Sequence, residues 1–285
     1  MNLLEKYWKK FLYGNYFIKI IYINIFIFLL IAIIRVLAFL LKSDDSINFL
    51  LKYLMLPADI NNFLSKPWTI ITYMFTHSEL LHILFNMLWY FWFGKIFIDY
   101  LGSKKLLNVY ILGGIWGAIF FILSFNIFPV FSEYLPYARA LGASASVLAI
   151  VVAISFYIPN YTLNLLFFGQ VKIKYIAIIS IIIDLLSIPA ENSGGHIAHL
   201  GGAFYGMIYG LMLKTNSKFL KIPKLKFKKK KSFKKNVRFM TDDEYNYEKA
   251  KHQKEIDRIL DKISKYGYSS LTDKEKETLF NESKK

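Results

Sequence analysis

The sequence predicts an all-α, polytopic membrane protein, with six transmembrane helices and a small soluble helical module at its C-terminal end. Hydrophobic residues make up 55% of the 285 residues and the mean hydropathy is +0.36, which is more apolar surface than a soluble domain of this size would bury. Several apolar stretches approach or exceed the roughly 20 residues that cross a hydrocarbon core of about 30 Å. After the last of them the chain becomes strongly basic and then polar, which separates a membrane domain from a second, soluble part.

Six apolar segments account for the membrane domain, which we place at residues 16–214. They lie at 16–41, 79–100, 105–127, 142–158, 172–188 and 197–214. The first follows a basic start, residues 1–15, but it is longer than a signal-peptide core and shows no small-residue cleavage site, so we expect a retained first helix. Lys residues concentrate in every second connection, and the positive-inside rule then puts both termini on the cytoplasmic side.

The connection 42–78 is long for a simple turn and rich in apolar and aromatic residues, as in NFLLKYLMLP. A loop of that length in a compact protein usually carries function or structure of its own. We therefore expect short interfacial helices here, on the outer side of the membrane.

A basic linker, residues 215–240, follows the membrane domain. It contains FKKKKSFKKNVR, and much of the net charge of +16 lies in this part of the chain. Such a flank is typical of a cytoplasmic segment that contacts anionic lipid, so we expect the lipid bilayer rather than nucleic acid as its partner.

Residues 241–285 have a helix-forming composition. Four apolar residues recur at helical spacing with charges between them: Ile256, Ile259, Leu260 and Ile263. Gly267 ends this pattern, and Thr272-x-x-Glu275 predicts a capping box for a second helix. We expect a helical module whose partner the sequence does not name.

Several kinds of chemistry are excluded by residue content. The chain has no cysteine, so it has no disulfide, zinc-thiolate site or thiol nucleophile. It has no HExxH helix, so we expect no catalytic metal, and no cofactor is indicated. An aspartyl mechanism needs two carboxylates that share a proton, whereas Asp184 stands alone, so we interpret Asp184 as a polar residue at a helix contact.

Segment four opens with the small residues Gly142-Ala143-Ser144-Ala145-Ser146. From Gly142 to Tyr157 a helix would span about 24 Å, which is shorter than the hydrocarbon core, so one end is expected to be recessed. At a recessed N-terminus, free backbone N–H groups and the helix dipole beside Ser144 would favour an oxyanion. The same small residues also mark close helix packing in membranes, and this segment alone leaves both interpretations open.

Segment six places His199, Gly202 and Gly206 on one helix face. The two glycines would let another backbone come close. If the small face of segment four meets them, Ser144 and His199 come within hydrogen-bond reach, and the imidazole can remove the proton of an otherwise weak serine nucleophile. The alternative is a hydrogen-bonded structural histidine, which is our interpretation of His196.

Segment two carries His82 and Asn86 one helical turn apart, toward the outer end. Both side chains can donate hydrogen bonds to a developing oxyanion. The alternative is a pair of polar residues that join helices, each such bond contributing about 0.6 kcal/mol.

Together these three clusters resemble the rhomboid family of intramembrane serine proteases. The resemblance is carried by His82-x-x-x-Asn86, Gly142-x-Ser144 and His199-x-x-Gly202-x-x-x-Gly206, in this order on segments two, four and six. It runs from Trp68 to about Gly210. The chain departs from the family pattern where Thr69 follows Trp68 in place of a frequent Arg, and where Leu148 replaces an aromatic residue.

The resemblance implies a Ser144–His199 dyad without a carboxylate, in which Ser144 is the nucleophile and His199 the general base. It implies an oxyanion hole from the Ser144 N–H with the His82 and Asn86 side chains, supported by Gly142. Gly202 and Gly206 would serve helix packing. It further implies transmembrane protein substrates, a six-helix rhomboid-like bundle and, for a member with such a C-terminal extension, the inner membrane of a bacterium.

Two other functions are alternatives to a protease. A catalytically inactive relative would bind transmembrane helices without cutting them, but such proteins usually lack Ser or His at the dyad. A transporter would show repeated halves or broken helices, and the sequence has no internal repeat.

Overall fold

The computed structural model describes residues 14–165, 169–190, 192–215, 256–263, 268–272, 275, 276 and 279. Contacts divide the chain into two units: one is Asn15–Lys226 and the other combines Met1–Gly14 with Phe227–Lys285. The basic linker was predicted at residues 215–240, and all of it except Thr215 lies outside the described residues, as do Gly267, where a break was predicted, and most of the basic start.

One long helix coincides with each of the six predicted apolar segments, and the largest difference in bounds is four residues, where the last helix begins at Ser193 instead of 197. These helices are α1 (Tyr16–Leu40), α5 (Leu80–Leu101), α6 (Ser103–Ile127), α7 (Ser144–Tyr157), α8 (Ile173–Leu186) and α9 (Ser193–Thr215). By length and composition, α1, α5 and α6 are candidate membrane spans among the described residues. Helices α7 and α8 have 14 residues each, or about 21 Å, so they are shorter than a hydrocarbon core. The count of six spans stays a prediction.

The connection 42–78 carries short helices, as predicted. They are α2 (Asp44–Leu54), α3 (Ile60–Ser65), α4 (Thr69–Thr72) and a 3-10 turn (Tyr73–Phe75). Helix α3 begins where the Asp59 carboxylate accepts a hydrogen bond from the Asn62 N–H at 2.7 Å, which satisfies one of its free donors.

A two-residue strand inside this connection ties it to the start of α7. Strand β1 (Leu56–Pro57) pairs antiparallel with β2 (Arg139–Ala140), which lies just ahead of Gly142 in the sequence. A second hairpin, β3 (Thr162–Leu165) with β4 (Gly169–Lys172), joins α7 to α8. The first pairing holds the backbone that leads into Ser144.

Helix α7 lies at the centre of the first unit, because every residue from Ala145 to Ser155 is buried. Glycines of two neighbouring helices allow this close packing. A Cβ atom on Gly202 or Gly206 of α9 would collide with the carbonyl oxygen of Ala145 or Ala149, and one on Gly113 of α6 would collide with the Ala149 Cβ. Because lipid is as apolar as the side chains, such van der Waals contact is a main source of helix association in membranes.

In the second unit, residues 256–263 are helical, and Ile256 and Ile259 are buried. The predicted capping box is confirmed: the Glu275 carboxylate accepts from the Thr272 N–H at 2.9 Å, and the Thr272 hydroxyl accepts from the Glu275 N–H at 3.4 Å. That residues 241–285 form an independent module stays a prediction.

Candidate active site

One cavity of about 700 Å³ collects every residue to which the sequence analysis assigned a chemical role. Its lining includes Ser144, His199, His82, Asn86 and Gly142. These residues come from α5, α7, α9 and the segment ahead of α7, which are far apart in the chain. The cavity also exposes Glu79, Arg139 and Asn192, so its wall is polar enough to hold water.

Ser144 is the first residue of α7. The first N–H groups of a helix have no acceptor within it, so the Ser144 hydroxyl lies beside free donors and at the positive end of the helix dipole. Gly142, two residues earlier, has a φ of +114° and donates its N–H to the Tyr73 carbonyl at 2.9 Å. This turn presents the end of α7 to the cavity.

His82 and Asn86 lie directly against Gly142. A Cβ atom on Gly142 would come within 2.7 Å of the His82 ring and 3.8 Å of the Asn86 amide nitrogen. Both side chains are therefore close to the start of α7, where the sequence analysis expects an oxyanion site.

His77 holds Asn86 and the backbone ahead of Ser144 in place through hydrogen bonds. It is fully buried, and its Nε2 accepts hydrogen bonds from the Asn86 side-chain amide at 3.2 Å and from the Ala143 N–H at 3.3 Å. Burial, and next the interaction with His82, lower the pKa of His77 to about 3, so its ring is neutral at ordinary pH. A neutral acceptor here orients Asn86 and leaves the second hydrogen of its amide free for another partner.

The structure joins three residues that the sequence analysis kept apart. Nδ1 of His199 lies 2.7 Å and Nδ1 of His196 lies 2.8 Å from the same carboxylate oxygen of Asp184. Asp184 is buried in the last turn of α8 and also lines the cavity. Sequence reasoning missed this contact, because neither the spacing of Asp184 and His199 nor any local pattern relates α8 to α9.

Ser144 and His199 line the same cavity, but among the described residues no hydrogen bond joins them. The small face of α7 does meet the glycine face of α9, as the sequence analysis required for their approach. The imidazole is held by Asp184 on its Nδ1 side. Catalytic hydrogen bonds are often long without substrate and tighten when it binds.

The same group of side chains has the chemistry of a metal site. The possible ligand atoms of Asp184, His196 and His199 lie within 4.8 Å of one another, and carboxylate and imidazole groups are common metal ligands. Their separations of 2.7 and 2.8 Å are those of charge-assisted hydrogen bonds between imidazole N–H groups and a carboxylate. An ion bound there would compete with these hydrogen bonds for the same three side chains.

Two family models match the chain. The model of the Rhomboid domain covers residues 64–216, more than half of the chain, and a family of unknown function (DUF6576) covers residues 240–285. The first match includes the whole cavity-lining set described above.

Curated relatives agree with the first match. The chain is 32% identical over 166 residues to "RHOMBOID-like protein 12, mitochondrial" of Arabidopsis thaliana, which covers 55% of this chain and 49% of the relative. It is 26% identical over 172 residues to "Rhomboid protein 1, mitochondrial" of Saccharomyces cerevisiae, covering 57% and 46%. It is 27% identical over 181 residues to "Rhomboid protease GlpG" of Haemophilus influenzae, covering 62% and 85%. The chain thus spans about half the length of the plant and yeast relatives.

The prediction of a bacterial inner membrane is wrong by these comparisons, because the Arabidopsis and yeast relatives are both named as mitochondrial proteins. The assignment of the termini to a bacterial cytoplasm falls with it.

Proposed function

The chain belongs to the rhomboid family, and from that premise we propose that it is an intramembrane serine endopeptidase, with Ser144 as nucleophile and His199 as general base. The observation that carries the proposal is the single cavity shared by Ser144, His199, His82 and Asn86. The name of the Haemophilus influenzae relative, a rhomboid protease, also supports it.

The reaction would run in two balanced stages. The Ser144 hydroxyl attacks the carbonyl carbon of a substrate peptide bond while Nε2 of His199 takes its proton. The tetrahedral intermediate collapses, His199 gives that proton to the leaving amine, and an acyl-enzyme remains. Water then attacks the ester carbonyl while His199 takes a proton from it, and His199 returns this proton to the Ser144 oxygen as the acyl–oxygen bond breaks, which releases the new carboxyl group and restores the Ser144 hydroxyl.

Two kinds of hydrogen-bond donor would stabilise the negative charge on the oxygen of the tetrahedral intermediate: a backbone N–H and side chains. The N–H at the start of α7 and the side chains of His82 and Asn86 are the available donors, and all surround the position of Gly142. Because His77 holds the Asn86 amide in place, this donor would need little reorientation when substrate binds. We expect removal of either side chain to lower kcat roughly 10²- to 10³-fold.

The substrates we propose are transmembrane segments of other proteins. A peptide bond inside a helix is shielded, so the substrate helix must unwind at the cavity before Ser144 can reach a carbonyl. Water for the second stage would be held by the polar part of the cavity wall, which includes Glu79, Arg139 and Asn192.

A second candidate is a family member that binds transmembrane helices without cutting them. It is favoured by one observation, the missing hydrogen bond between Ser144 and His199 among the described residues. Both candidates use the same cavity, so activity has to separate them.

The test is cleavage of a generic transmembrane substrate by the full chain in detergent, together with labelling by a fluorophosphonate probe. Ser144→Ala and His199→Ala should abolish both, whereas Ser146→Ala, whose hydroxyl is buried beside Gly114 and away from the cavity, should change neither. EDTA should leave the rate unchanged. Labelling without cleavage would mean a working site and an unsuitable substrate; absence of both in the wild type would favour the binding protein.

A further inference from the structure

The carboxylate of Asp184 has no part in the dyad that the family resemblance implies. We infer that Asp184 is a positioning residue for His199: it fixes the imidazole with its proton on Nδ1, so that Nε2 is free to accept the proton of Ser144. This inference rests on the proposed function and adds a third residue to it.

Asp184 is buried and in direct contact with His199. Nδ1 of His199 lies 2.7 Å from the Asp184 carboxylate, a short distance typical of charge-assisted bonds. Asp184 is only 7% exposed, and a carboxylate removed from water is tolerated when donors satisfy it. The two histidine N–H groups are its hydrogen-bond donors among the described residues.

The contact with Asp184 also sets the tautomer of His199. In a neutral histidine, the hydrogen bonds that the two ring nitrogens make decide which of them carries the proton. A carboxylate only accepts, so it selects the form with the proton on Nδ1. That form leaves the Nε2 lone pair available, which is what a general base for Ser144 requires.

The Asp184 carboxylate also stabilises the positive charge that appears on His199 during the reaction. When His199 takes the proton of Ser144 it becomes an imidazolium. A negative carboxylate 2.7 Å away stabilises that cation more than it stabilises the neutral ring, so the effect is larger in the transition state than in the ground state.

His196 is the second donor to the same oxygen, at 2.8 Å, and the two histidines differ in one respect. His199 lines the cavity together with Ser144, whereas His196 is absent from its lining. His196 therefore satisfies the buried carboxylate without reaching the reacting atoms, and only His199 is placed to act as base.

The first experiment compares substitutions of Asp184 in the full chain in detergent. Asp184→Asn keeps the size of the side chain and an acceptor oxygen but removes the charge, so a residue needed only for helix packing would tolerate it. We expect it to lower kcat and the rate of fluorophosphonate labelling of Ser144 roughly 10²- to 10⁴-fold, with KM changed less than about threefold. Asp184→Glu should recover part of the loss, and Ser146→Ala should match the wild type.

The outcomes separate the two proposals. If the wild type is labelled and Ser144→Ala is not, the protease stands; labelling of Asp184→Asn at the wild-type rate would then overturn the role of Asp184 alone. If the wild type is not labelled, the protease and the role of Asp184 fail together.

A second measurement needs no variant of Asp184 to fold. The chain has only five histidines, so ¹⁵N spectra of the wild type, assigned with His199→Ala, can report the tautomer of His199 directly. We expect a protonated Nδ1 and a bare Nε2 at a pH where the ring is neutral. A proton on Nε2 instead would refute the inference.

Discussion

Gly142 shows how one residue can decide whether the proposed site can form. Its φ of +114° lies in a region that residues with a Cβ atom rarely adopt, and its missing side chain leaves the space in which the His82 ring lies. Both requirements apply to the same position, two residues ahead of Ser144.

We therefore expect Gly142→Ala to damage the protein at two levels. The backbone strain costs about 1–2 kcal/mol, and the new methyl group displaces His82, so kcat should fall roughly 10²- to 10³-fold as for a lost oxyanion donor. The measurements are Tm and fluorophosphonate labelling.

Gly169→Ala is the matched control, because Gly169 also has a positive φ, +66°, but a Cβ there meets nothing within 4 Å. Backbone strain in Gly169→Ala should lower the free energy of unfolding by a similar amount, and fluorophosphonate labelling should stay unchanged. Equal labelling of both variants would show that His82 does not depend on Gly142.

At the level of elements, the contact between α7 and α9 depends on glycines spaced four residues apart. The sign of the change in stability caused by Gly206→Ala is informative. Ala stabilises an isolated helix by about 1 kcal/mol relative to Gly, so helix propensity alone would make this variant more stable. The added Cβ would collide with the Ala149 carbonyl, and overpacking of this kind costs roughly 1–3 kcal/mol.

We expect Gly206→Ala to lower Tm in detergent and to reduce activity, since separating α9 from α7 also moves His199 away from Ser144. Lys214→Ala, at the exposed end of the same helix, should change stability by less than about 0.5 kcal/mol. A rise in Tm for Gly206→Ala would mean that helix propensity, and not close packing, governs this face.

The C-terminal capping box predicts a dependence on pH. Lys262 and the Thr272 N–H hold the pKa of Glu275 at about 2, below its ordinary 4.5. Because the folded pKa is lowered, the stabilisation is present above pH 4.5 and is lost as the pH falls toward 2.

Hydrogen exchange in peptides that span residues 256–279 can measure this in the full chain. Glu275→Gln should be less protected than the wild type at pH 6, and most of this difference should be gone at pH 2, where about half of the Glu275 carboxyls are protonated. Asp261→Asn changes an exposed acidic residue next to Lys262 on the 256–263 helix, and it should behave as the wild type at both values. A difference that persists undiminished at pH 2 would contradict the proposed role of the Glu275 charge.

At the scale of the whole molecule, the prediction to test is the number of membrane crossings. The chain has no cysteine, so single cysteines can be introduced without a background. Lys104→Cys and Asn160→Cys flank the α6–α7 pair at one end, and Tyr137→Cys and Ala190→Cys lie in the connections at the other.

With vesicles of defined orientation and a membrane-impermeant maleimide, we expect Lys104→Cys and Asn160→Cys to react from one side and the other two from the opposite side. Lysis of the vesicles should make all four react equally. If Tyr137→Cys and Asn160→Cys react from the same side, α7 does not cross, and the count of six is wrong.

Much of the fold followed from local patterns. The six long helices lie where apolar runs of helical length were found, and the short helices of the 42–78 connection and the Thr272–Glu275 box were also predicted. These features depend on a few consecutive residues: hydrophobicity, length and capping chemistry act within one element, so they are readable without the rest of the chain.

The sequence by itself determined the family, through three short motifs, and with it the candidate residues Ser144, His199, His82 and Asn86. Only the tertiary structure decided which side chain holds His199, the proposed base. Asp184 ends α8 and His199 lies on α9, so their 2.7 Å contact depends on how two helices pack and on the rotamers of both side chains. A lone carboxylate in an apolar segment carries no sign of its partner until that packing brings a donor to it.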